Sequence, residues 1–167
     1  MPYARHLSKI LSMIALSVSS TVFAHEQKAK IDRHGHEIAV RTGVIFSEAV
    51  SERAKLCSRP LTCWSPKAGD VEGLEGELAR HLRSTEVAGS QSIATNLNGY
   101  KRKYFGYRKD GQRWISVVGL CSKYWHKNSP KFATQKRPFT DMGTCYFLVE
   151  YNVEKRQFVD LYIDGEA

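Results

Sequence analysis

Apolar positions change their spacing twice along this chain. Residues 10–18 form one short, mostly apolar run, residues 71–82 place an apolar side chain every three or four positions, and from residue 100 apolar and polar positions largely alternate. The middle pattern predicts an amphipathic helix over residues 70–83, with Val71, Leu74, Leu78 and Leu82 on its buried face. Asp70 reads as the N-cap, and Glu72 and Glu75 suit the positive end of the helix dipole. Arg80, His81 and Arg83 suit its negative end. Gly73 and Gly76 cost about 1 kcal/mol each relative to Ala, which is explicable if they let the helix approach a sheet closely. Glu72, Glu75 and Glu77 fall mostly on the solvent side, and residues 84–98 read as a loop.

The alternation predicts four strands. Residues 100–108 and 113–122 are joined by the turn Lys109-Asp110-Gly111-Gln112. Ile115, Val117 and Cys121 then share one face, and Trp114, Val118 and Leu120 the other. The pattern lapses over residues 123–142 and resumes over 144–151, with Cys145, Phe147, Val149 and Tyr151 on one face. A turn near 152–156 leads to residues 158–163, where Val159, Leu161 and Ile163 alternate. The amino-terminal part is less defined. Residues 25–43 are polar, Ile38-Ala39-Val40 and Val44-Ile45-Phe46 could supply an edge strand bent at Gly43, and residues 47–56 have helix-forming composition. The expected fold class is therefore α+β, a single domain over residues 25–167. Its core would be an antiparallel four-stranded meander with one main helix packed on a face.

The first apolar run changes the setting. Arg5 and Lys9 precede it, and Val22-Phe23-Ala24 follows with small residues at the −3 and −1 positions of a cleavage site. This is the pattern of a secretory signal peptide over residues 1–24, and its apolar core is far below the ~20 residues needed to span a bilayer. An uncleaved anchor is the lesser alternative. The expected location is periplasmic or secreted, with no transmembrane segment in the mature chain.

Export bears on the four cysteines, Cys57, Cys63, Cys121 and Cys145. An even count in an oxidising compartment favours disulfides. Three pairings are possible, and Cys57–Cys63 with Cys121–Cys145 is favoured. The first closes a short loop around Pro60, and the second staples two expected strands. By the chain-entropy model these are worth on the order of 2.5 and 3.5 kcal/mol. A zinc site is the competing reading, and oxidising conditions oppose it.

Charge is concentrated in one segment. Residues 25–98 hold ten basic and ten acidic residues, residues 99–137 eleven basic and one acidic, and residues 138–167 two basic and six acidic. The excess points to an anionic partner. Within it, the strand carrying Lys101, Arg102 and Lys103 interleaves cations with aromatics. Lys101 and Lys103 share a face with Phe105 and Tyr107, while Tyr100, Arg102 and Tyr104 share the other. Such a strand suits phosphate neutralisation and stacking, but export argues against intracellular nucleic acid. In the alternative, the aromatics pack in the core while the cations reach solvent. The long segment that follows adds Trp125, Lys127, Lys131, Phe132, Lys136 and Arg137, a composition suited to a protein or membrane-surface partner.

The string Tyr100-Lys101-Arg102-Lys103-Tyr104-Phe105-Gly106 continues through Gly119-Leu120-Cys121, Trp125, Gly143-Thr144-Cys145-Tyr146-Phe147 and Asp164-Gly165-Glu166-Ala167. Over residues 99–167 it resembles a recurrent pattern in small exported bacterial proteins of uncharacterised function. The resemblance implies the paired Cys121 and Cys145 and the sheet, and it carries no activity or site residues. The basic stretch between Trp125 and Gly143 is an enlargement on that pattern.

Candidate chemistry is sparse. His34 and His36, with His25 at a new amino terminus, offer nitrogen ligands that suit copper but no third ligand at a telling spacing. His81 suits a helix-end role and His126 a solvated one. Hydrolase signatures and phosphate-binding glycine loops are absent from the sequence, and pairing the cysteines leaves no thiol nucleophile. No cofactor or metal is implied. The expectation is a non-enzymatic exported binding module, an inhibitor or immunity-type partner of another envelope protein. A direct binder of an anionic envelope polymer or lipid head group is the first alternative, and an unrecognised enzyme the second.

Overall fold

The computed structural model describes residues 30–31, 37–38, 43–125 and 141–165. Residues 1–24, expected to form a signal peptide, and His25, His34, His36 and His126 lie outside the described residues. The strands are β1 (Lys30–Ile31), β2 (Glu37–Ile38), β3 (Gly43–Phe46), β4 (Thr62–Trp64), β5 (Tyr100–Lys109), β6 (Gln112–Cys121), β7 (Tyr146–Asn152) and β8 (Gln157–Ile163). The helices are α1 (Glu48–Arg53), α2 (Ala68–Ser84) and α3 (Ser90–Thr95). The fold is α+β with two disulfides, but the sheet is mixed, in the order β1-β2-β3-β5-β6-β7-β8.

The run β5 to β8 is antiparallel, as the alternation requires. The expectation of a purely antiparallel four-stranded sheet is corrected at β5. Its outer edge takes β3 in parallel at residues 102–105 and β4 antiparallel at residues 106–108. Val44-Ile45-Phe46 is thus an inserted strand instead of an edge. A short apolar run does not encode its partner, and Ile45 and Phe46 are buried on opposite faces of the sheet.

The β5–β6 hairpin closes on Asp110 and Gly111, both at positive φ (52° and 73°), the backbone of a two-residue primed turn. In β8 the expected alternation is corrected by a bulge. Asp160 takes φ 53°, and the β7–β8 register slips between Leu148 and Glu150. Phe158, instead of Val159, therefore joins Leu161 and Ile163 on the core side.

Each sheet face has its own core. On one, Val71, Leu74, Leu78 and Leu82 of α2 are fully buried against Tyr104, Ile115, Val117, Phe147 and Val149. On the other, Phe46, Leu56, Phe105, Val118, Leu120, Tyr146 and Leu148 form a second cluster, with Val50 and Ala54 packed on it. The helical stripe was read correctly, but the start of α2 was not. Lys67 is the N-cap, and Asp70 sits three residues on, accepting a hydrogen bond from the Lys67 backbone N–H (2.9 Å). Gly73 and Gly76 face open space instead of the sheet. The expected loop at 84–98 contains α3 and a 3-10 turn (Leu97–Gly99). Six helical residues with only Ile93 and Ala94 as apolar members leave no periodic signal.

Gly119 leaves room for an aromatic ring on the neighbouring strand. It pairs with Phe147, and a Cβ there would overlap the Phe147 ring, itself buried under α2. Gly119→Ala is expected to destabilise by about 2 kcal/mol, because neither the ring nor the strand can give way. Urea melts at neutral pH measure this, and an unchanged midpoint would refute the packing argument.

Candidate functional site

The basic–aromatic strand is β5, and its two faces end in different surroundings. Arg102 and Tyr104 point toward α2. Arg102 is 2% exposed, and its guanidinium is fully engaged. Nη2 donates to Glu75 Oε2 (2.8 Å), Nε to the Tyr104 hydroxyl (3.1 Å), and Nη1 to the carbonyls of Leu97 (2.7 Å) and Tyr100 (3.3 Å). The Tyr104 hydroxyl donates to Glu75 Oε1 (2.7 Å). Burial, together with the Glu75 charge, pushes the Tyr104 phenol well above its usual range. This satisfied triad ties α2 and the turn before β5 to the sheet. It corrects the placing of Glu75 on the solvent side of α2. It also uses Arg102 for structure, leaving its guanidinium nothing to offer a partner.

On the other face, Lys103 is fully buried, with its ammonium 5.9 Å from the Phe46 ring centre. Burial pushes its pKa down to about 7. The expectation that the strand's cations reach solvent is therefore corrected at both Arg102 and Lys103. Lys101 alone of the three is part-exposed.

Farther along the same face lies a polar group that sequence reading missed. Ser116 donates to Glu150 Oε2 (2.5 Å), and Tyr107, paired across the hairpin with Trp114, also hydrogen-bonds Glu150. Burial first, and the Glu150 carboxylate second, raise the Tyr107 phenol. Ser116 is fully buried, and Glu150 is 7% exposed. Alternation marks these as core-facing positions, so a polar residue at Ser116 or Glu150 was the available signal. The group links β5, β6 and β7 through one buried carboxylate that accepts from two hydroxyls.

The carboxyl end of β6 begins the basic segment. Cys121 is bonded to Cys145, just before β7, with Cα atoms 4.8 Å apart. Cys57 is bonded to Cys63, and there is no free cysteine, which removes zinc at these residues. Past Cys121, residues 122–125 form a helical turn. Tyr124 and Trp125 are part-buried and pack on the second core cluster, while exposed Lys123 sits 5.0 Å from the Tyr124 ring centre. Trp125 thus anchors the base of the segment. Lys127, Lys131, Phe132, Lys136 and Arg137 lie outside the described residues. Among the described residues no cluster of three or more His, Cys, Asp or Glu could hold a metal, and no helix is long and apolar enough to cross a membrane.

Comparison with known proteins found no matching family model, no matching curated protein and no matching solved structure.

Proposed function

We propose that this chain is an exported, non-enzymatic binding module, an inhibitor or immunity-type partner of another envelope protein. It engages that partner through the basic segment between Cys121 and Cys145. One observation supports this reading above the others. The disulfide joins the two ends of the segment where they leave adjacent central strands, and Trp125 seats its first turn on the core. A segment held at both ends loses less freedom when a partner binds. Its cations, Lys123, Lys127, Lys131, Lys136 and Arg137, have no acidic residue between them in sequence. The strand cations Arg102 and Lys103 belong to the folded framework of this reading, and Lys101 alone remains at its margin.

The test is affinity capture with the full chain from envelope extracts, with the partner identified by cross-linking and mass spectrometry. Exchanging Lys127, Lys131, Lys136 and Arg137 for Glu is expected to lower partner binding at least tenfold while leaving the melting temperature within a few degrees. Unchanged binding by that variant would remove the segment from the mechanism. Capture of an anionic polymer or lipid in place of a protein, abolished by raised salt, would favour the alternative of a direct anion binder.

A further inference from the structure

A groove of about 440 Å3 runs between the carboxyl-terminal half of α2 and the start of β8, on the sheet face away from Lys103. Phe158 forms its floor, and the His81 imidazole stacks on that ring (4.8 Å between centres, 18° between planes). Two guanidinium groups flank it. Arg80 is exposed on α2 and, among the described residues, makes no ion pair or hydrogen bond through its side chain. Arg156 stands in the β7–β8 turn at φ 52°; its Nη2 donates to Glu77 Oε1 (3.1 Å), and its guanidinium also meets the Tyr151 hydroxyl.

The two nitrogens of His81 have different surroundings. Among the described residues, Nε2 is buried without a partner, and Nδ1 is neither buried nor hydrogen-bonded. A buried N–H without an acceptor costs more than a bare lone pair, so the ring proton belongs on Nδ1, the nitrogen open to solvent. Burial also lowers the imidazole pKa, which keeps the ring neutral near pH 7. The helix end would ordinarily repel an anion here. Its His81 carbonyl, however, already accepts from the Ser84 hydroxyl (3.0 Å) and the Thr85 hydroxyl (2.8 Å).

We propose that this groove is a binding site for a small ligand bearing an oxyanion, a carboxylate or a phosphate, held between Arg80 and Arg156 and hydrogen-bonded by His81 Nδ1. Arg80 supplies a bidentate donor, and Arg156, with five N–H donors, has some left beyond those given to Glu77 and the Tyr151 hydroxyl. The Glu77 carboxylate, held by Arg156, sets the far limit of the anion. Phe158 and the imidazole offer a flat apolar wall to the rest of the ligand. The site shares no residue with the basic segment, so the two proposals stand or fall separately.

The test is an NMR titration of the full chain at constant ionic strength, following the His81 ring resonances, with inorganic phosphate and acetate as separate probes. A saturable shift with either probe is expected, accompanied by a rise in the His81 titration midpoint, because a bound anion favours imidazolium. The stronger probe identifies the preferred oxyanion. Arg80→Ala and Arg156→Ala should each weaken binding at least fivefold while leaving the melting temperature nearly unchanged. A shift that never saturates with either probe, or one equally strong in both variants, would overturn the site.

Discussion

Glu75→Ala is expected to cost about 3–5 kcal/mol of folding stability, far more than a typical surface change. The substitution leaves the Arg102 guanidinium, 2% exposed, without its counter-charge under α2. It also strips the Tyr104 hydroxyl of its acceptor. The loss arises from the orphaned partner more than from the net worth of the ion pair. The double variant Glu75→Met with Arg102→Met is therefore expected to recover a large part of it, because an apolar pair of similar volume needs no compensation. The pair Arg113–Glu154 provides a control. Its bond is equally short at 2.8 Å, but its side chains are 37% and 40% exposed, and its removal should cost less than about 1 kcal/mol. Urea melts of these three variants and the parent at pH 7 settle the matter. A single-variant loss below about 1 kcal/mol would mean that the buried network does not hold α2 in place.

Stability is expected to rise as the pH goes from 7 to about 10 and then to fall. The rise comes from Lys103, whose folded pKa is pushed down to about 7 from an ordinary 10.5. Between those values the unfolded chain binds a proton that the native chain has released, so raising the pH favours the native state. Each pH unit of that interval is worth about 1.4 kcal/mol, so the gain is on the order of 4 kcal/mol. His81 acts in the same direction at lower pH, because burial lowers its pKa too; stability falls as the pH drops through 6.5 toward its folded value. Above pH 10 the sign reverses. Burial raises the phenols of Tyr100, Tyr104, Tyr107 and Tyr151, so unfolded tyrosines ionise first and draw the chain toward the unfolded state. Lys103→Met should be more stable than the parent at pH 7 and should lose the slope between pH 7 and 10. Denaturant midpoints across that range provide the check, and a level profile in the parent chain would contradict the burial of a cation there.

The sheet run from β5 to β8 and the buried face of α2 were legible because each repeats a simple period over many residues. Val71, Leu74, Leu78 and Leu82 repeat at helical spacing, and Ile115, Val117, Phe147 and Val149 at strand spacing. The disulfide pairing was legible from spacing and context. What escaped was whatever depends on a distant partner. Glu75 occupies a polar position on an amphipathic helix, and only the arrival of Arg102 from β5 turns it inward. The alternation puts Lys101 and Lys103 on one face of β5 and Arg102 on the other, but it does not show that both faces are covered there. The pleat sends Arg102 to one core and Lys103 to the other, so a run of cations conceals two buried groups. α3 was missed because six residues cannot show a period, and the β8 face was misassigned because a bulge at Asp160 carries no strong sequence mark. His81 was read as a helix-end cation, and its stacking on Phe158 required knowing where β8 runs.

The shared edge of β5 has a consequence for the order in which the protein can fold. β3 and β4 lie end to end along one strand made some 40 to 60 residues later, covering residues 102–105 and 106–108 in turn. A chain synthesised from its amino end produces both strands before their template exists. Until β5 is complete, Ile45, Phe46 and Trp64 have no sheet on which to bury themselves, and closing that long loop carries an entropic cost before any contact repays it. The β5–β6 hairpin, with its local turn, is the natural nucleus, and the amino-terminal half should be the last part to gain protection from hydrogen exchange during refolding.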